Sequence, residues 1–366
     1  MRRPRTPTAL AAAAVLVATS PAARAEDAPS GPKLADVLAA TGITLSGYVA
    51  ASYYSSNGYP ANIHQFDVEH DTFQLDQAGL ALAYQPKQGF GGLVDVIAGE
   101  DARILHAAED GRDNTFDIRQ AYLQFATGAL TLIAGKYLTL AGAEVINPTL
   151  NTNFSRSLLF FDSEPLTHTG LRATYAVTDT INIIGGINNG WNTTSTSYGS
   201  KTAEGGIAWT PGKMFSLTTQ AYFGKSEAFD AEKTLIDVVA TCNATSALTL
   251  ILNFDWDRQE LRAASAATWN GAALYVNYAF TDQWRVSVRA EYLDDRDGFA
   301  TGAVQTLKEG TVTFGYAPVK SFELRLEGRY DKAQSPVFFR SNPAAQSSAD
   351  LADNLSEIAL QGVYRF

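Results

Sequence analysis

Ser321-Phe322-Glu323-Leu324-Arg325-Leu326-Glu327-Gly328-Arg329-Tyr330-Asp331 is the stretch whose reading decides the fold. In a β-strand successive side chains point to opposite faces. Phe322, Leu324, Leu326, Gly328 and Tyr330 then share one face, and Glu323, Arg325, Glu327, Arg329 and Asp331 share the other. A single such strand would also suit the surface of a soluble sandwich, but the pattern recurs. Phe215, Leu217, Thr219, Ala221 and Phe223 alternate with Ser216, Thr218, Gln220 and Tyr222. Leu248, Leu250, Leu252 and Phe254 alternate with Thr249, Asn253 and Asp255, and Trp284, Val286, Val288, Ala290 and Tyr292 with Arg285, Ser287, Arg289 and Glu291. The last segment sets Ile358, Leu360, Tyr364 and Phe366 against Glu357, Gln361 and Arg365. Charges toward a wet interior and an apolar band toward lipid are what a membrane-spanning β-barrel demands. The alternation blurs over Asp117–Phe125, where Arg119 and Ala121 would share a face. A β-bulge or a position at the membrane rim accounts for such a break.

Working outward, the strand-like segments come in pairs. Residues 85–89, 126–128, 177–180, 210–213, 243–246, 281–283 and 318–320 read as tight turns, rich in Gly, Pro, Asn and Asp. Longer polar stretches lie between the pairs, around 55–70, 100–115, 139–166, 189–201, 225–232, 257–268, 295–307 and 332–354. Short turns at one end and long loops at the other predict an all-β, transmembrane antiparallel β-barrel of about sixteen strands, with periplasmic turns and external loops. Tyr84, Phe90, Phe125, Tyr175, Trp209, Phe215, Phe280, Trp284, Tyr316, Phe322 and Phe366 all fall beside the tight turns. That is the place of an interfacial aromatic girdle.

The chain has 366 residues, 46% hydrophobic and 11% aromatic, with 29 Gly and 16 Tyr. Past residue 25 no apolar run reaches the roughly 20 residues a spanning helix needs. Arg2, Arg3 and Arg5, an apolar stretch from Ala9 to Ala18, and Ala23-Arg24-Ala25 compose a secretory signal peptide, residues 1–25. Its removal leaves 24 basic and 38 acidic residues, a net charge of −14. Such an acidic chain is unsuited to nucleic acid. Residues 26–41 read as a periplasmic lead-in with one helical turn, and 42–366 as the outer-membrane barrel. Cys242 is the single cysteine, which excludes an intrachain disulfide and a thiolate metal site.

The third long loop, 139–166, carries the most mixed chemistry: Glu144, Asn151, Asn153, Arg156, an apolar run Leu158–Phe161, then Asp162 and Glu164. A sixteen-strand lumen is too wide for wall side chains to fill, so the loop is expected to fold inward and narrow it. The opposite wall carries Arg285, Arg289, Arg325 and Arg329, interleaved with Glu291, Glu323 and Glu327. Two readings stand side by side. In one, Glu144, Asp162 and Glu164 face the arginines and set a field across the water path. In the other, the glutamates neutralise the arginines as a wall ladder.

The order Gly135-Lys136-Tyr137, Glu144, Asn151-Thr152-Asn153-Phe154-Ser155-Arg156-Ser157, Pro165 and Thr167-His168-Thr169-Gly170-Leu171-Arg172 resembles the OmpL-like β-barrel porins of bacterial outer membranes. The resemblance implies an outer-membrane barrel with a pore, and it assigns no solute and no catalytic residue.

A catalytic reading finds little support. His64, His70 and His106 lie in or near external loops without a serine motif, and His168 is expected to bond the loop that precedes it. No H-x-x-x-H pair, CxxC or calcium-loop spacing occurs, so no cofactor or metal is expected. Asp294, Asp295 and Asp297 could attract a divalent ion bridging lipopolysaccharide, with a solvated loop as the alternative. The expected function is passive diffusion of small hydrophilic solutes or ions. The alternative is a barrel plugged by its third loop that serves as a surface-binding or structural protein. Expected partners are outer-membrane lipid, lipopolysaccharide and the solutes. A homo-oligomer is compatible with the class, although no apolar stripe broad enough for an interface stands out.

Overall fold

The computed structural model describes residues 34–59, 63–196, 199–226, 231–262, 264–340 and 350–366. The signal peptide and the first part of the lead-in, 26–33, lie outside the described residues. The rest of the lead-in is helix α1 (Leu34–Thr41).

Sixteen antiparallel strands of the described residues close into one barrel. They are β1 (Ile43–Ser56), β2 (Thr72–Tyr84), β3 (Gly89–Ala98), β4 (Phe116–Thr127), β5 (Leu130–Leu138), β6 (Thr167–Ala176), β7 (Ile181–Asn188) and β8 (Thr202–Trp209). Then follow β9 (Phe215–Ser226), β10 (Ala231–Asn243), β11 (Leu248–Leu261), β12 (Ala264–Ala279), β13 (Trp284–Asp295), β14 (Gln305–Val319), β15 (Phe322–Ala333) and β18 (Asn354–Arg365). β16 (Phe338–Phe339) and β17 (Leu351–Ala352) form a separate two-stranded sheet in the last long loop. Closure comes from β1 pairing with β18 between Tyr48↔Arg365 and Ser56↔Glu357. A closed sheet leaves no unpaired edge, the condition for strands in lipid. Among the described residues, no helix is long and apolar enough to cross a membrane.

Side-chain burial follows the two-residue period. Along β15 Leu326 and Tyr330 are 49% and 50% exposed on the outside, whereas Arg325 and Asp331 are 1% and 0% exposed inside. Tyr84, Phe90, Tyr175, Trp209, Phe280, Trp284 and Phe366 are exposed beside the tight turns. Neighbouring rings of that belt meet: Phe90 lies tilted against Phe125 at 4.8 Å, and Trp284 stacks on Tyr316 at 4.3 Å.

The break in β4 is a bulge. The β3–β4 register shifts opposite Asp95 and Val96, and Arg119 is the extra residue. Arg119 and Gln120 consequently both reach the Asp95 carboxylate, at 2.8 and 3.1 Å. Beside it Gly135 on β5 has φ +137°, and a Cβ there would stand 2.3 Å from the Ala121 carbonyl oxygen.

Two loop expectations need correction. The stretch 100–115 contains an eleven-residue helix, α2 (Glu100–Asp110), closed by Gly111 in the left-handed region. The stretch 257–268 is mostly strand, since β11 continues to Leu261 and β12 begins at Ala264. Its polar residues had suggested solvent, but Asp257 and Gln259 are polar because they point inward, where both are fully buried.

The interior at the long-loop end is packed. Phe66 of the first loop, Ala102 and Leu105 of α2, and Ile146, Phe160 and Leu166 of the third loop bury one another together with Ile97. Each large side chain so buried contributes about 1.5–3 kcal/mol, enough to hold three loops together inside the barrel.

Candidate functional site: the third loop against the wall

Residues 139–166 leave the wall after β5 and re-enter it at β6, and the Thr139 N–H donates to the Leu166 carbonyl across the base. The outgoing limb runs past β9 and β11. Leu140 donates its N–H to the Tyr222 hydroxyl at 3.1 Å, and Ala143 to the side-chain Oδ1 of Asn253 at 2.7 Å. Glu144 then meets Arg289 of β13 at 2.8 Å. Further on, the Pro148 carbonyl accepts from Arg325 at 3.0 Å and the Thr149 carbonyl from Arg365 at 2.9 Å.

The return limb is held by carboxylates. Glu327 accepts the Phe154 and Ser155 N–H groups at 2.6 and 2.9 Å, and Glu291 accepts that of Leu158 at 2.9 Å. The Asn153 amide donates to Thr313 at 2.7 Å. Ser157 caps the short helix α3 (Leu158–Asp162) by accepting the Phe160 N–H. That helix sends Leu158 and Leu159 into an apolar cluster with Trp269, Leu293 and Phe338. Loop backbone groups buried this way need partners. The alternating acid and base of β13–β15 supply them, carboxylates for N–H and guanidinium groups for C=O.

Two of the six loop residues singled out by sequence brace the loop itself. Asn151 accepts the Val145 N–H at 2.9 Å and donates to the Val145 carbonyl at 2.7 Å. Arg156 donates to the carbonyls of Val145, Phe154 and Ile146 at 3.0, 2.8 and 3.0 Å, and lies over the Phe66 and Phe160 rings. Glu144 and Asn153 tie the loop to the wall. Asp162 and Glu164 stand apart from the arginines. Burial foremost, then Asp295 and Asp257, raises the Asp162 carboxyl well above its usual range. Burial and then Asp237 do the same for Glu164.

The wall arginines do not look across open water at loop acids. Arg289 is fully buried among Glu144, Glu291 and Glu309, at 2.8, 3.0 and 3.2 Å. Arg325 pairs with Glu323 at 2.9 Å and Arg329 with Asp331 at 2.8 Å, each also donating to a loop carbonyl. Arg285 pairs with Glu323 at 2.7 Å and keeps 21% of its side chain exposed. Glu291, Glu309, Glu323 and Asp331 of the wall, and Glu144 of the loop, thus pair with these arginines. The physical reason is desolvation: buried charges persist only when paired and hydrogen-bonded.

Sequence reading passed over several interior groups. Arg119 pairs with Asp95 at 2.8 Å and Arg172 with Glu204 at 2.8 Å. Lys233 sits 3.6 Å from the Trp191 ring centroid and 5.2 Å from that of Trp269. Inward parity on a strand was the available signal for each. His64 lies in the first long loop, between β1 and β2, but its side chain is buried beside Asp67 at 2.7 Å, Asp331 at 3.4 Å and Glu357 at 3.6 Å. His168 bonds the Gly190 carbonyl of the following loop at 3.1 Å, not the preceding one, and stacks on Tyr222. Asp295 is likewise no open loop acid, since it accepts the N–H groups of Phe299 and Thr301 at 3.0 and 2.7 Å.

The family model described as "putative beta-barrel porin-2, OmpL-like" matches residues 42–356, nearly the whole barrel. The chain belongs to the OmpL-like β-barrel porin family. Membership makes it an outer-membrane β-barrel porin by class. Among curated proteins none matches the chain significantly. Solved structures share the fold at low identity. The outer membrane channel DcaP of Acinetobacter baumannii is 15% identical, with a TM-score of 0.59 over 88% of this chain and 97% of that one. An anion-selective porin from Comamonas acidovorans is 11% identical, with a TM-score of 0.62 over 88% and 99%. The trimer form of OmpT from Vibrio cholerae gives 11%, 0.62, 88% and 99%.

Proposed function

We propose that this OmpL-like porin passes small hydrophilic solutes or ions passively, with no chemical step, through a water path narrowed by the loop 139–166. The observation that carries the reading is the docking of both loop limbs on β13–β15, Glu144 to Arg289 outgoing and Phe154 and Ser155 to Glu327 returning. A barrel of about sixteen strands encloses an aqueous lumen, and a loop pinned inside it sets the free width. With Arg289, Arg325 and Arg329 sequestered, Arg285 and Arg365 are the wall arginines left to meet passing ions, 21% and 38% exposed. An anion-selective porin and a trimer among the similar structures support testing anion preference and a homo-oligomer for this chain. Export through a signal peptide cut after Ala25 belongs to the same proposal.

A second reading, a plugged barrel with a structural or surface-binding role, is favoured by one observation. The first loop, α2 and the third loop bury a common apolar cluster inside the barrel. Swelling of protein-loaded liposomes in a size series of neutral sugars separates the two. Uptake that falls off with sugar size supports the narrowed channel, and no uptake of any sugar or salt supports the plug.

A further inference from the structure

We propose that Glu164, Asp237 and Asp255 together bind one hard divalent cation, calcium by preference, which fastens the return limb of the third loop to the β10–β11 wall. Asp237 and Asp255 are directly opposite each other in the β10–β11 register, and both are fully buried. Like charges in that position repel. Among the described residues, no Lys, Arg or His nitrogen forms an ion pair with either of them or with Glu164.

Two acids on a wall would not by themselves make a site. The independent observation is Glu164, which arrives from the third loop, is 95% buried, and has neither carboxylate oxygen hydrogen-bonded. Its carboxylate is aimed at the pair: one oxygen from each of the three residues lies within 4.8 Å of the others. Calcium takes oxygen ligands at about 2.3–2.6 Å, so ligands on opposite sides of one ion are about 4.8 Å apart. One ion can therefore touch all three. Asp237 Oδ1 and Asp255 Oδ2 are buried and also lack partners, which leaves a lone pair from every member for the ion.

The surroundings orient the ligands. The Asn253 amide donates to Asp237 at 2.9 Å and to Asp255 at 3.4 Å, while its carbonyl oxygen takes the Ala143 N–H. Hydrogen bonds of this kind fix first-sphere carboxylates at metal sites. Gly142 has φ +87°, and a Cβ there would fall 1.9 Å from a Glu164 carboxylate oxygen, so the chain leaves room for that group. Carboxylate-only ligation favours calcium, magnesium or manganese over softer metals, and the flexible geometry of calcium tolerates three acids plus water.

The test uses the purified mature protein in detergent micelles, stripped with a chelator and titrated with calcium chloride in a calorimeter. One saturable ion per chain is expected. E164Q and, separately, D237N should weaken binding by about tenfold or more while keeping the heat-modifiable gel mobility of a folded barrel. Use of two variants on different elements keeps the test decisive should one fail to fold. Absence of saturable uptake by the folded wild type would overturn the proposal and leave three protonated carboxyls sharing the pocket. Calcium binding undiminished in both folded variants would place the ion elsewhere and overturn it equally. Binding is read as heat, so a barrel that conducts nothing leaves this result intact.

Discussion

Replacing Arg289 with Met keeps most of the side-chain volume and removes the charge that joins the third loop to β13. Three carboxylates, Glu144, Glu291 and Glu309, then lose their common cation at 2.8, 3.0 and 3.2 Å. The Ser155 carbonyl and the Ser155 hydroxyl lose donors at 2.9 and 3.0 Å. Removing one partner of a buried ion pair costs about 3–5 kcal/mol. At about 1.4 kcal/mol per factor of ten, that moves the docked loop toward release by roughly a hundredfold to a few thousandfold. The barrel itself should survive, because the β13 backbone pairs from Trp284↔Tyr316 to Asp295↔Gln305 do not involve the side chain. In planar bilayers R289M should show larger and noisier current steps than wild type, and protease should cut between residues 150 and 163. A folded R289M barrel with wild-type conductance and a fully protected loop would refute the reasoning.

Other outcomes follow from the same contacts. Leu326 faces outward, so Leu326→Arg should cost about 2–4 kcal/mol if it lies near the bilayer midplane; urea titration of folding into vesicles measures this, and no penalty would mean that β15 does not face lipid. His64 is opposed by burial and by Arg329, but Asp67, Glu357 and Asp331 outweigh both and raise it to about 10. Because its value in the folded state is raised, the stabilisation is fully present below the ordinary 6.5 and is lost as pH climbs through 10. Unfolding midpoints should fall across that window in wild type and much less in His64→Gln, whereas parallel profiles would remove His64 from the account. Arg285→Ala with Arg365→Ala should shift the reversal potential in a salt gradient toward cations, and an unchanged value would deny these arginines a role in selectivity.

The barrel was legible because lipid imposes a two-residue parity on its strands, broken in β4 by the bulge at Arg119, and parity survives in sequence. Ser321–Asp331 sorts its side chains on paper as β15 sorts them in space. The inward third loop was legible from its apolar anchor, since Leu158–Phe161 had to bury somewhere. Its route was not, because a loop has no period, and so of the acids expected opposite the arginines Glu144 reaches Arg289 whereas Glu164 lies beside Asp237 and Asp255. α2 was missed although Glu100 and Asp101 in its first turn and Gly111 at its end are ordinary helix signals. A polar, acidic segment between two strands reads as a loop unless its caps are sought. The Asp237–Asp255 pair depends on the β10–β11 register, which alternation alone does not specify.

A loop pinned inside a water-filled barrel is tested most directly by single-channel recording of the wild-type protein in a planar bilayer. Discrete current steps are predicted, smaller than those of the same barrel with residues 140–165 replaced by a short Gly/Ser linker. Equal steps from both proteins, or no steps from either, would contradict it.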